Sequence, residues 1–235
     1  MSTPNASQQA GIDLAIVNGT VITMDPDRRV VRSGALGIRD GRIVAVEADA
    51  ASLPDARETI DAAGKIVLPG IVDTHGHAGH SLTRGFGEGS TWMDMVETIY
   101  FQASDPWFWE AESRLAALER LRFGVTTSVS MTGSSPRVDD AKYAVAATTG
   151  YRELGLRHIV AIGPPSGPWP REYTEQMPDG STRSHTVDME RALAVTEEAL
   201  QAIRGLDNER LQFYVEDAGL LALVTLLTGE LVQHL

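Results

Sequence analysis

His75 and His77 stand one residue apart at the end of the run Leu68-Pro69-Gly70-Ile71-Val72-Asp73-Thr74. In a strand, side chains at i and i+2 leave from the same face, so this spacing turns two imidazoles toward one point. Neutral imidazole is the commonest side-chain metal ligand. The chemistry expected of the pair is therefore that of a divalent cation activating water. Asp73 has two readings: it orients a neighbouring imidazole, or its carboxylate bonds a backbone N–H. The chain has no cysteine, which excludes thiolate zinc sites, disulfides and a cysteine nucleophile. Three histidines follow His80, namely His158, His185 and His234. None falls in a second metal motif, and His234 lies in a segment read as helix rather than at a strand end.

The elements that must position the pair change texture at residue 70. Residues 1–12 read as a loose tail, 13–70 as a small β module and 71–235 as a larger α/β unit. In the module, Leu14–Val17 and Val21–Met24 flank Asn18-Gly19-Thr20, and Ala35–Arg39 and Arg42–Val46 flank the hairpin signal Asp40-Gly41. Thr59–Ile60 and Lys65–Leu68 complete it. So few short strands make a module that must pack on something else.

From Ile71 strands and helices alternate. Ile71–His75, Gly124–Met131, Arg157–Ile162 and Arg210–Val215 read as strands. Trp92–Gln102, Trp107–Arg122, Val138–Leu154 and Val187–Arg204 read as helices, and an apolar tail from residue 219 begins another. This alternation predicts a parallel sheet with right-handed crossovers. Two stretches interrupt it, the glycine-rich Ala78–Ser90 and the proline-rich Pro164–Thr186, and both read as irregular loops, lids or disordered segments. Within the first, His80 and Arg84 are candidates to touch substrate, Arg84 through an anionic group. Their bland readings are a solvated loop histidine and a surface charge. Trp92, Tyr100, Phe101, Trp107, Phe108 and Trp109 suggest either a pocket wall or core. Ser166 and Trp169 are candidates for a lid. Glu216, at the end of the fourth strand, is a candidate proton carrier or substrate contact; it reads equally well as a helix N-terminal carboxylate.

Composition narrows the classes. A net charge of −12 argues against a nucleic-acid binder, which carries a basic patch. No apolar run approaches the roughly 20 residues that span a bilayer, and Met1–Gly11 lacks the basic and apolar regions of a signal peptide. A cytoplasmic protein acting on a small molecule is expected, without nucleic-acid or membrane partners.

The stretch Gly64-Lys65-Ile66-Val67-Leu68-Pro69-Gly70-Ile71-Val72-Asp73-Thr74-His75-Gly76-His77 resembles the signature of the amidohydrolase superfamily. The nearest branch holds cytosine and guanine deaminases, atrazine chlorohydrolase-like enzymes and imidazolonepropionase. Gly124-Val125-Thr126-Thr127 resembles the second barrel strand of that family, and the β module resembles the first part of its small sandwich domain. The resemblance implies an α/β fold: a partial (β/α) barrel of the TIM type, with about four βα units, preceded by a small β-sandwich module. It implies one divalent metal, zinc or alternatively iron, held first by His75 and His77. The family draws further ligands from its fifth, sixth and eighth strands, and four strands are read here, whereas a whole barrel takes about 250 residues. The chain therefore reads as the N-terminal half of a metal-dependent hydrolase that sends water at a non-peptide C–N bond of a small heterocycle. The fourth-strand candidate carries no lysine, which favours the mononuclear, deaminase-like type over the type bridged by a carboxylated lysine. The competing expectation is an inactive fragment that persists by subunit association. An exposed sheet edge invites such pairing, so a homo-oligomer or an aggregating half-barrel is expected.

Overall fold

The computed structural model describes residues 11–77, 80–86, 94, 97–131, 137–164, 168–206 and 211–215, with the backbone alone at 130–131 and 211–215. The chain divides between Pro69 and Gly70 into two units.

The first unit is one mixed sheet. Its strands are β1 (Ile12–Ile22), β2 (Val30–Arg39), β3 (Arg42–Glu47), β4 (Ala56–Asp61) and β5 (Ile66–Val67). The order is β3-β2-β1-β4, with β5 also on β1. Strand β1 runs antiparallel to β2 and parallel to β4 and β5. Asp40 and Gly41 both take positive φ, 51° and 70°, and close the expected β2–β3 hairpin.

Asn18-Gly19-Thr20, expected to turn the chain, does not. Strand β1 continues through it with register shifts on either side of Gly19. Asn18 absorbs the irregularity at φ 65°. Gly19 lies so close to Val67 and Ala62 that a Cβ would strike both, so the glycine answers a close approach rather than a turn. Ile12, read as tail, is the first residue of β1 and is 1% exposed. The described strands form a single sheet; no second, facing layer occurs among the described residues of this unit.

The second unit is α/β. Strands β6 (Ile71–His77), β7 (Val125–Met131), β8 (Arg157–Ile162) and β11 (Leu211–Val215) lie in the order β11-β8-β7-β6, every pair parallel. Between them run helices α1 (Pro106–Arg122), α2 (Ala141–Leu154) and α3 (Met189–Gly205). Each helix starts on an aspartate that accepts from a first-turn amide: Asp105 from Phe108 N at 2.7 Å, Asp140 from Lys142 N at 2.9 Å, Asp188 from Arg191 N at 2.8 Å. Such caps satisfy amides that the helix itself leaves open. Helix α2 ends on Gly155 in the left-handed conformation. These caps explain why the helices begin two or three residues later than a hydrophobic pattern from Val138 or Val187 suggests.

Two expectations are corrected. The segment read as an α-helix over Trp92–Gln102 is, over its described part Glu97–Ala103, a π-helical turn; Trp92 lies outside the described residues. Pro164–Thr186 is not irregular throughout. It contains an antiparallel hairpin, β9 (Arg171–Gln176) and β10 (Thr182–Val187). The prolines stand before β9 or in the turn, never inside a strand. The turn closes as Asp179 accepts from Ser181 N at 2.9 Å and Gly180 takes φ 83°.

The main core gathers Tyr100, Phe101, Trp109, Val138, Tyr143, Tyr173 and Val187, with Trp169 packed against it. The core reading of Tyr100, Phe101 and Trp109 therefore stands, while Trp107 is 72% exposed. Val160, Ile162, Ala199 and Ile203 pack β8 on α3. No described helix is long and apolar enough to cross a membrane.

Candidate metal centre

Strand β6 ends in the histidine pair, and it does not end regularly. Its register against β7 passes from Asp73 opposite Ser128 to Gly76 opposite Ser130. Three residue steps on β6 thus face two on β7, which is a β-bulge at Thr74-His75. The simple i, i+2 alternation expected for His75 and His77 is broken there. The rings nevertheless come together: their centroids are 5.0 Å apart and their planes stand at 73°. Both residues are exposed. Partial desolvation, and after it the charge of His75, pushes the His77 pKa below the usual imidazole value, so His77 is neutral near pH 7 and its lone pair is free to donate.

Asp73 performs the second of its two expected roles and adds a contact that the sequence did not suggest. Its Oδ1 accepts from His75 N at 3.4 Å. Its Oδ2 accepts from Arg120 Nε on α1 at 3.1 Å. Arg120 Nη1 donates to Ala116 O at 3.3 Å, which ties the guanidinium to its own helix.

The loop after β6 is anchored to α1 over its described part, 80–86. The buried carboxylate of Glu112 accepts from Ser81 N at 2.7 Å and Leu82 N at 2.6 Å. Arg84 Nη2 lies 2.9 and 2.8 Å from the two Glu119 oxygens, an ion pair that raises the Arg84 pKa and lowers that of Glu119. The Arg84 charge is thus already matched within the chain. His80 is not the solvated loop histidine of the bland reading: its Nδ1 is 2.7 Å from the Tyr100 hydroxyl, which is also 2.9 Å from Thr83 Oγ1. Its ring stacks toward His77 at 6.2 Å between centroids. Burial pushes the Tyr100 pKa up to about 12, so its hydroxyl keeps its proton.

The donor set fits a borderline divalent cation: two imidazoles on one strand end, one held neutral, both open to solvent. Among the described residues no third histidine, aspartate or glutamate joins them to form a group able to enclose a metal ion. Glu216, His234 and Ser166 lie outside the described residues. His158, which the sequence placed in no motif, is fully buried near the start of β8. Arg120, Glu112 and Glu119 were read only as part of the helix Trp107–Arg122; nothing in the local sequence links them to residues about 30 to 47 positions earlier.

No family model matches the chain. It is 35% identical over 159 residues to a 5-methylthioadenosine/S-adenosylhomocysteine deaminase of Symbiobacterium thermophilum, a match covering 65% of this chain and 35% of that protein. It is 35% identical over 122 residues to a 5'-deoxyadenosine deaminase of Methanosarcina mazei, covering 51% of this chain and 28% of that protein. The chain thus matches about a third of the length of these relatives. In fold it resembles a zinc-bound adenosine deaminase from Xanthomonas campestris, with a TM-score of 0.66, 22% identity, and coverage of 87% of this chain and 42% of that one. It also resembles an atrazine chlorohydrolase from Arthrobacter aurescens complexed with zinc, with a TM-score of 0.59, 21% identity, and coverage of 86% and 46%. The histidine-tipped strand and the parallel βα order accord with these likenesses: the chain is similar to part of deaminases of the amidohydrolase superfamily in sequence, and to these zinc-bound enzymes in fold.

Proposed function

We propose that this chain carries the first two metal ligands, His75 and His77, of a mononuclear deaminase acting on an adenosine-type nucleoside. The observation that carries the reading is the paired imidazoles at the C-terminal end of β6, in a chain 35% identical over 159 residues to a deaminase of 5-methylthioadenosine and S-adenosylhomocysteine. The parallel order β6-β7-β8-β11 supports reading the second unit as part of a (β/α) barrel, whose sites open at the C-terminal strand ends. The sheet of the first unit supports its reading as part of a small sandwich.

In the proposed reaction water adds to the ring carbon bearing the amine, the C–N bond breaks, and ammonia leaves with the proton the water gave up. Bound zinc or iron supplies the Lewis acidity that makes hydroxide available near neutral pH. The chain's own residues supply position. His75 and His77 hold the cation from one strand end. Glu112 and Glu119 pin the loop 81–84 to α1, and Tyr100 fixes the His80 ring beside His77. His80, held in that way, is the better-supported substrate contact; Arg84 is committed to Glu119.

The test measures zinc content and ammonia release from 5'-deoxyadenosine in the full natural protein and in His75→Ala. Stoichiometric zinc lost from the variant, together with at least a thousandfold fall in turnover, is expected. Zinc retained by His75→Ala would overturn the ligand assignment. Zinc bound normally without ammonia release from any adenosine-type nucleoside would overturn the substrate class.

A second reading, association without catalysis, draws on the apolar side chains that β6 exposes, Ile71 at 52% and Val72 at 38%. It expects a dimer or larger species in sedimentation velocity and no turnover; a monodisperse monomer would sink it.

A further inference from the structure

We propose that Arg120 is a positioning residue for the His75–His77 pair, acting through Asp73 on the bulge that carries both imidazoles. The inference rests on the reading of that pair as metal ligands and goes beyond it in naming what sets their geometry.

The argument begins with the bulge. An extra residue in one strand leaves ladder groups unpaired and bends the chain locally. Here the extra step falls between Asp73 and Gly76, so it decides where His75 points relative to His77. A bulge without support is a soft element, and two ligands on a soft element do not meet at one fixed separation. A ligand site needs its donors held within about 0.5 Å by packing and hydrogen bonds behind them.

Arg120 supplies that support from two sides. On one side its Nε donates to Asp73 Oδ2 at 3.1 Å, and Asp73 Oδ1 in turn accepts from the His75 amide at 3.4 Å. On the other side its Nη2 lies over Gly76. A Cβ built at residue 76 would fall well inside 3.0 Å of that nitrogen and 3.0 Å from Asp73 Oδ2. Gly76 is thus the gap through which the guanidinium reaches the backbone between the two histidines. The Arg120 side chain is 16% exposed, and Ala116 O accepts from its Nη1 at 3.3 Å, so the clamp is itself fixed to α1. A planar fork with several donors suits this two-sided contact where an ammonium does not. The whole chain of contacts ends on the helix that also anchors the loop 81–84, so one helix sets both the ligand strand and the loop beside it.

The test compares the full natural protein with Arg120→Gln and His75→Ala in two measurements. The first is cobalt(II) titration, followed by visible absorption, which reads both affinity and ligand geometry. The second is amide hydrogen exchange at His75 in the metal-free protein. The expected result for Arg120→Gln is at least tenfold weaker cobalt binding, displaced visible bands, and His75 exchange at least tenfold faster with β8 amides unchanged. Cobalt bound by wild type and lost by His75→Ala, with Arg120→Gln unchanged in bands and exchange, would overturn the inference and leave the ligand reading intact. Exchange raised equally across β6, β7 and β8 would also overturn it, since that marks general loosening. Identical cobalt behaviour of wild type and His75→Ala would overturn the ligand reading and this inference with it. If Arg120→Gln does not fold, Asp73→Asn cuts the same link with less change in shape and is read against the same outcomes.

Discussion

His158 lies flat on Tyr151, ring centroids 3.6 Å apart and planes 11° from parallel. The imidazole is fully buried on β8, and its Nδ1 shares a hydrogen bond of 2.7 Å with Ser128 Oγ on β7. Its Nε2 has no partner among the described residues. Burial, and after it the charge of Arg120, pushes the His158 pKa well below the usual imidazole value. The ring that stacks so closely is therefore neutral.

A buried neutral histidine makes stability pH-dependent in one direction. The folded pKa is depressed below the unfolded value of about 6.5. The stability it gives is present above that value and is lost as pH falls toward the folded one. His158→Phe keeps the stack and removes the titration. At pH 7.5 the variant is expected to be about 1–2 kcal/mol less stable, because Ser128 loses its partner. Between pH 7.5 and 5.5 wild type should lose about 1 kcal/mol more than the variant. Urea unfolding at the two pH values measures this. Equal losses would show that His158 titrates normally.

The helices, the parallel strands and the His75–His77 pair were legible because each has a local cause. Alternation of strands with helices or a strand-end spacing can be read within a short stretch of chain. What was not legible depends on contact at a distance. Asn18-Gly19 looks like a turn in isolation, but Val67 and Ala62 crowd Gly19 and the strand runs on. The prolines of 164–178 hid a hairpin whose strands contain none of them. The bulge at Thr74-His75 has no local signal, because its support, Arg120, arrives 47 positions after Asp73.

Gly76→Ala tests that support from the strand side. The added methyl group meets the far end of a long side chain, so Arg120 must leave Asp73 while the backbone stays. A modest global cost is expected, about 1 kcal/mol. The sharper expectation concerns coupling. Since Gly76→Ala and Asp73→Asn break the same link, the double variant should lose less than the sum of the singles, by at least about 0.5 kcal/mol. A double-mutant cycle by chemical unfolding measures this. Strict additivity would mean that the methyl group is accommodated with Arg120 in place.

Gly150→Ala carries the opposite expectation from the usual one. Inside a helix this exchange normally stabilises by about 1 kcal/mol. Here Gly150 lies on the face of α2 that crosses α1. A Cβ would come 2.7 Å from the Ser113 carbonyl carbon and closer still to the Arg114 amide nitrogen. Backbone cannot step aside as a side-chain tip can. The Gly150 amide also donates to Ser113 Oγ at 3.1 Å, a bond the displaced helix would lose. Overpacking of this kind outweighs the propensity gain, and a net loss of about 3 kcal/mol is expected. A raised melting temperature would show that α1 and α2 are further apart than described.

Glu175 offers a second pH test, with its window in the acid range. It stands on β9 directly opposite Arg183 on β10, with which it forms an ion pair. Lys142 Nζ, from the first turn of α2, is 2.8 Å from its Oε1. The hydrogen bond from Lys142, and then that from Arg183, holds the Glu175 pKa down, from 4.5 to about 2. A depressed carboxylate pKa gives stability that is present above the unfolded value and lost as pH falls toward the folded one. With its side chain 21% exposed, Glu175 should contribute roughly 1–2 kcal/mol at pH 7 after solvent screening. Glu175→Gln should remove that contribution at pH 7. By pH 3 the difference between wild type and variant should shrink by more than half, because most of the window from 4.5 to about 2 has been crossed. Amide exchange of the β9–β10 hairpin reads this locally, apart from acid effects elsewhere. A difference that stays constant from pH 7 to pH 3 would mean that the hairpin is held to α2 by packing alone.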